Sequence, residues 1–313
     1  MKFYRDVADG EYDVIASIIV KNPGGTYRLY YSFDSTNTSQ YNVQVNKNSE
    51  VSLGTVTITN GQFALYTQKA DVVSGSDGYV GWAFIKLIAK PILLNTKVFL
   101  EGPYSGSGSM TTTLKTNNII PLNSNKAYPT TVYGYYTVST VTSIPNPDIV
   151  DWVLVELRTG TAAATTVARR AVFLKSDGSI VDLDGLSQVK FKGITPGNYY
   201  IVIRHRNHLP IMSANSVALG VSSSLYDFTT AQTQAYGINA MKDLGGGVFG
   251  LYTGDANRDG LVTSTDFNVF NPKFTSAASG YEYSDFNLDG LITSTDFNFF
   301  NPNFTAAKQT FVP

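Results

Sequence analysis

The sequence has no cysteine, so disulfides, thiol nucleophiles and thiolate metal ligands are all excluded. Histidine is almost as scarce, with only His205 and His208 in 313 residues, and glutamate occurs five times. Charged residues make up 15% of the chain, well below the usual quarter. That sets the chain apart from Glu-, Lys-, Leu- and Ala-rich helical proteins. A net charge of −1 gives no basic footprint for nucleic acid. Long apolar runs are missing too: Lys86 and Lys90 interrupt the best one, Trp82–Leu94, so no membrane span is expected. Residues 1–13 lack the apolar core of a signal peptide. An extracellular protein would therefore be numbered here from a mature or engineered start.

What fills the gap is Gly, Ser, Thr, Asn and Tyr, within an ordinary hydrophobic fraction of 43%. This mixture suits twisted sheets and frequent turns, and the expected fold class is mainly β. The length allows two or three domains. Residues 1–92 carry β-branched and aromatic runs, Tyr12–Val20, Tyr27–Phe33, Tyr41–Val45 and Val51–Ile58. Turn signals at Asn22-Pro23-Gly24-Gly25, Asn60-Gly61 and Gly75-Ser76-Asp77-Gly78 separate them, a spacing that predicts a β-sandwich or jelly roll. Residues 93–250 predict a second β-sandwich region, with strands at Trp152–Arg158, Ala171–Lys175 and Tyr199–Arg206. Gly245-Gly246-Gly247 reads as a hinge into a third domain, 251–313.

That last segment carries the sharpest signal, a repeat with a period of 30 residues. Asp255, Asn257, Asp259, Gly260, Leu261, Thr263 and Asp266 recur as Asp285, Asn287, Asp289, Gly290, Leu291, Thr293 and Asp296. Each set has oxygen-bearing side chains at positions 1, 3, 5, 9 and 12 of an EF-hand-like loop. Calcium is a hard cation that takes six to eight oxygens, and alternate positions of a curling loop converge on one point. Asp255, Asn257 and Asp259 would supply side-chain oxygens, Leu261 its carbonyl, Thr263 a water-mediated contact and Asp266 the closing carboxylate. The second set would do the same, which gives two calcium ions. Val262 and Ile292 at position 8 are expected to pair in a short β contact. Residues 254–313 hold seven acids and three bases, a net −4, which leaves the remainder at +3. A divalent cation would neutralise that excess.

Aspartate rather than glutamate at position 12, in loop–helix units without a preceding helix, resembles the dockerin type I module of bacterial surface systems. The resemblance covers residues 254–304 and implies a small helical module after the β domains, with the same calcium ligands. Ser264-Thr265 and Ser294-Thr295 match the pair that aids cohesin recognition in that family. Asn271-Pro272 and Asn301-Pro302 should halt each helix after about two turns. Phrases across 98–252, such as Leu100-Glu101-Gly102-Pro103-Tyr104 and Arg204-His205-Arg206-Asn207-His208-Leu209, resemble a module near the C-termini of large bacterial extracellular proteins. Leu53-Gly54-Thr55 and Gly81-Trp82-Ala83-Phe84-Ile85 resemble carbohydrate-binding-type jelly rolls.

Together these features point to a non-catalytic, extracellular or cell-surface, calcium-binding structural or assembly protein. Its partners would be further copies of itself, extending to a fibre or lattice, or other surface proteins. A polysaccharide binder stacking sugars on Tyr or Trp82, and a cohesin-docking module, are the alternatives. A glycosidase would need two carboxyls about 5–9.5 Å apart. Glu101, Asp151 and Glu156 qualify by type alone, and no nucleophile elbow or phosphate loop is present. The His205-x-x-His208 spacing lacks the partners of a zinc site and reads as packed, hydrogen-bonded histidine.

Overall fold

A computed structural model describes residues 2–21, 25–36, 40–68, 70–75, 78–134 and 137–313. The turn signals at 22–25 and 75–78 fall partly on 22–24 and 76–77, outside the described residues. The fold is mainly β, arranged in several sheets. Two compact units divide the chain: 1–92 with 192–196, and 93–191 with 197–313. Residues 251–313 lie within the second unit. Among the described residues no helix is long and apolar enough to cross a membrane.

The first unit is built from eight strands: β1 (Lys2–Asp6), β2 (Gly10–Lys21), β3 (Thr26–Ser32), β4 (Tyr41–Val45), β5 (Ser49–Ile58), β6 (Gln62–Thr67), β7 (Asp71–Ser74) and β8 (Tyr79–Ala89). One sheet runs β1-β6-β3-β4 with β7 also on β3, and the other runs β5-β2-β8. Alternation decides which side chains meet between them. Val14, Ala16 and Ile18 of β2 and Tyr27 and Leu29 of β3 are buried, while Ile19 on the opposite face of β2 is exposed. Trp82 is half-buried and packs edge-on against Tyr31, ring centres 6.3 Å apart at 78°. Tyr79, Tyr4 and Phe84 are more exposed aromatics of this unit.

In the second unit the strand Ile149–Arg158 is buried along its whole length. It lies between Thr166–Lys175 and Gly197–His205, and the sheet continues through Ile180–Val181 on one side and His208–Met212 on the other. A smaller sheet joins Val189–Phe191, Ile92–Lys97 and Leu225–Asp227, the last pair parallel. Two helices, Ser264–Thr275 and Ser294–Thr305, follow the acidic loops.

Both helices run through their prolines instead of stopping before them. Stacking across the break offsets the lost hydrogen bond: Phe274 lies over Phe270 at 5.5 Å and Phe304 over Phe300 at 5.3 Å. Past each helix Ala277 and Ala307 adopt left-handed backbone, φ +48° and +44°, which turns the chain out of the helix.

Candidate metal centre

The two acidic loops have the same backbone path. Gly260 and Gly290 at position 6 both sit at φ +85°, where a side chain would be strained. The residues at position 4, Arg258 and Leu288, are left-handed as well, at φ +69° and +59°. A bulky residue seldom takes that conformation, so both loops hold local strain at matched points. Each loop then feeds a helix through a capping box. The Thr263 hydroxyl accepts from Thr265 N, and Asp266 accepts from Thr263 N at 2.8 Å. Thr293 and Asp296 repeat the arrangement, with 2.9 Å between Thr293 N and the carboxylate.

The carboxylates are held by backbone amides. Asp255 accepts from Gly260 N at 3.2 Å, and Asp285 from Gly290 N at 3.0 Å and Asp289 N at 3.1 Å. Asp266 and Asp296 receive the amides of Asn257 and Asn287. Asp259 and Asp289 take their own loop's Asn257 and Asn287 side chains, at 2.7 and 2.8 Å, and the amides of Leu261 and Leu291. Among the described residues, no three His, Asp or Glu side chains converge as a ready-made metal cluster.

Burial, and then the charges of Asp266 and Asp259, push the Asp255 carboxyl up to about 8. Asp285 rises to about 7: burial raises it, Arg206 opposes the rise, and Asp296 adds to it. Asp266 and Asp296 are also raised, mainly by burial. Two buried side-chain atoms of the first loop lack a hydrogen-bond partner, Arg258 Nη1 and one carboxylate oxygen of Asp255. Asp255 Oδ1 is buried and makes no hydrogen bond. A buried carboxylate oxygen without a donor costs free energy unless a cation or proton meets it. The donor set of each loop, carboxylates, a carboxamide and a hydroxyl, is all oxygen and suits a hard cation.

Val262 and Ile292 do not pair with each other, contrary to the expectation from their matched positions. Val262 N donates to Lys308 O at 2.8 Å, and Ile292 N to Ala278 O at 3.0 Å. Leu261 bridges to Gln309 and Leu291 to Ser279. Each loop is thus paired with the segment that follows the other loop's helix. The exchange satisfies edge amides on both sides while Val262 and Ile292 still meet in one apolar cluster with Phe270, Phe286 and Phe300.

Several anchoring residues gave no sequence signal of this role. Arg206 and Asn207 are fully buried at the turn between Gly197–His205 and His208–Met212, against the second loop. Arg206 also pairs with the buried Asp151, Nε to Oδ2 2.8 Å, and stacks on Tyr281, whose hydroxyl donates to Asp151 at 2.6 Å. Glu101 accepts from Asn303 Nδ2 at 2.6 Å and Thr253 N at 3.1 Å and pairs with Lys242 at 2.7 Å. Asn303 stands where the first repeat has Lys273, and this break in the repeat was the one available hint. Gly102 lies so close to Phe286 O that a Cβ there would sit 1.8 Å away.

The carboxyls considered for sugar hydrolysis are likewise held in structural networks. Asp151 and Glu101 are anchors, and Glu156 is buried among Arg158, Arg169 and Arg204. His205 and His208 are both buried, 2.9 Å apart through their Nδ1 atoms, with His205 also on Asp151 at 3.2 Å.

No family model and no curated protein matches this chain. A solved structure that resembles it is a chain of an N-terminal interface mutant of a type II cohesin–X-dockerin complex from Acetivibrio cellulolyticus. It is 19% identical, with 56% of this chain and 92% of that chain covered and a TM-score of 0.28. A likeness that low leaves function to be reasoned from this chain's own residues.

Proposed function

We propose that the two loops bind calcium, one ion each, and that binding clamps residues 254–313 onto the β strands of the second unit. The buried Asp255 Oδ1, which accepts no hydrogen bond, carries this reading, in a loop whose left-handed turns at positions 4 and 6 recur in a second. Asp255, Asn257, Asp259, the Leu261 carbonyl, Thr263 and Asp266 would hold the first ion. Asp285, Asn287, Asp289, the Leu291 carbonyl, Thr293 and Asp296 would hold the second. When bound, the ion supplies positive charge that relieves repulsion among three carboxylates per loop. The chain's own part is to keep those oxygens aimed inward, through left-handed turns at positions 4 and 6 and through the amides that fix each carboxylate.

The protein as a whole is, in this reading, a non-catalytic structural or assembly protein of the cell surface or extracellular space. The resemblance of 254–304 to dockerin type I modules supports that setting. The consumption of Glu101, Asp151 and Glu156 in anchoring networks favours a non-catalytic role. Its partners are proteins. Six of the exposed apolar side chains of the last sixty residues come in repeat-matched pairs, Leu261 with Leu291, Phe267 with Phe297 and Phe274 with Phe304. Exposed apolar side chains of this kind suit contact with another protein surface.

Thermal melting of the full chain tests the clamp. With calcium at 100 times its dissociation constant, each site should add about 2.7 kcal/mol. Melting curves that coincide in calcium and in EGTA would refute it.

A further inference from the structure

Arg206 and Asn207 occupy a hairpin turn, a place that normally faces water, yet both are at 0% exposure. The turn is wedged between the two acidic loops. The Asn207 carbonyl accepts from Gly254 N and Asp255 N, at 3.1 and 3.2 Å, where the first loop begins. Its side-chain amide donates to Tyr283 O at 3.0 Å and Asp285 O at 2.6 Å, where the second begins. Asn207 therefore serves both loops alike.

Arg206 does not. Its guanidinium donates to Glu282 O and lies 3.8 Å from Asp285 Oδ2, at position 1 of the second loop. Asp255, at position 1 of the first loop, has no such neighbour. Among the described residues no Lys, Arg or His comes within 4.0 Å of the carboxylates of Asp255, Asp259 or Asp266. The first loop's own Arg258 is turned onto the Tyr283 ring, 4.1 Å away. The two loops also differ at the oxygen that should meet a cation: Asp285 Oδ1 takes Asp289 N, whereas Asp255 Oδ1 is bare.

Resting on the calcium reading above, we infer that Arg206 is a fixed resident cation of the second loop and makes the two sites unequal. The first loop binds calcium tightly and the second weakly. Arg206 already offsets the repulsion between Asp285 and its neighbours, and it repels an arriving divalent ion. Asp151 balances the guanidinium from its other side, so the second loop meets the positive end of a buried pair. A single charge at this range changes an equilibrium constant by roughly fivefold in water and by far more in a protein interior. For a doubly charged guest somewhat farther off, about tenfold is a conservative expectation.

Calorimetric calcium titration of the metal-stripped full chain decides this, using one variant to isolate each loop. Asp289→Ala leaves the first loop and Asp259→Ala leaves the second. The Asp289→Ala protein should bind at least tenfold more tightly. Equal affinities, or the reverse order, would overturn the inference while leaving calcium binding intact. Uptake by neither variant nor the parent would refute the calcium reading and the inference with it. Adding Arg206→Gln to Asp259→Ala should strengthen the remaining site, and Arg206→Lys should not. Should Arg206→Gln fail to fold, the affinities of the two loop variants still separate unequal sites from equal ones.

Discussion

Replacing Asp151 with asparagine should be among the most damaging isosteric changes in the second unit. Asp151 is fully buried and accepts from Trp152 N at 2.7 Å, Tyr281 Oη at 2.6 Å and Arg206 Nε at 2.8 Å, with His205 at 3.2 Å. Burial alone would raise its pKa; Arg206, His205 and Tyr281 outweigh burial and lower it to about 2. Asparagine keeps the shape but brings two N–H donors to a site surrounded by donors. It also leaves the Arg206 guanidinium, itself at 0% exposure, without its closest counter-charge. Breaking a buried pair on one side costs about 3–5 kcal/mol. For a unit of this size each kcal/mol moves the melting temperature by roughly 2–4 °C, so a fall of about 6–20 °C is expected. Urea unfolding at fixed calcium measures it, and the midpoint should drop with little change in slope. Because the folded pKa lies below the ordinary 3.8, the stabilisation is present above about pH 4 and fades as pH falls through about 2. The gap between variant and parent should therefore narrow on acidification below pH 4. A loss under about 1 kcal/mol at pH 7 would refute the anchoring role of the pair.

Phe300→Ala should cost about 3–5 kcal/mol, since the ring is fully buried and stacks within 6.3 Å of Phe270, Phe286 and Phe304. A loss below about 1 kcal/mol in chemical denaturation would contradict the packing. Gly102→Ala should lower the melting temperature by several degrees, because the new methyl would collide with Phe286 O; a neutral result would mean the loop is not seated there. Asp255 and Asp285, raised to about 8 and 7, keep protons in the metal-free fold at pH values where the unfolded chain has lost them. Their contribution to metal-free stability is thus present below about pH 4 and declines as pH rises through 7 to 8. Calcium uptake at pH 6 should then release protons, so its heat should differ between buffers of unequal ionisation enthalpy. Identical heats would show that the carboxyls are already ionised.

The strand alternation of the first unit could be read directly, because Val14, Ala16 and Ile18 meet Tyr27 and Leu29 by local two-residue periodicity. The loops were legible in part: glycine at position 6 of a 30-residue repeat specifies the turn, whereas Thr263 and Asp266, read as calcium ligands, show their capping box only in the fold. Other features depend on residues far apart in the chain. Pro272 and Pro302 read locally as stops, yet ring stacking carries both helices past them. Val262 reads as a partner for Ile292, but its amide donates to Lys308 O, from the far end of the second repeat. Arg206 reads as the last residue of the strand Tyr199–Arg206, and only the tertiary fold shows that it lies with Asn207 in a turn buried against the second loop. Asn303 differs from Lys273 at the matched position, a departure that becomes meaningful once Glu101 is seen beside it.

Direct measurement of bound metal tests the central claim most simply. The full chain, stripped with chelator and dialysed against a calcium series at pH 7.5, should take up two ions per molecule by elemental analysis. Asp255→Asn with Asp285→Asn in one protein should abolish the uptake. A parent protein that saturates at zero ions, or a double variant that still holds two, would contradict the account.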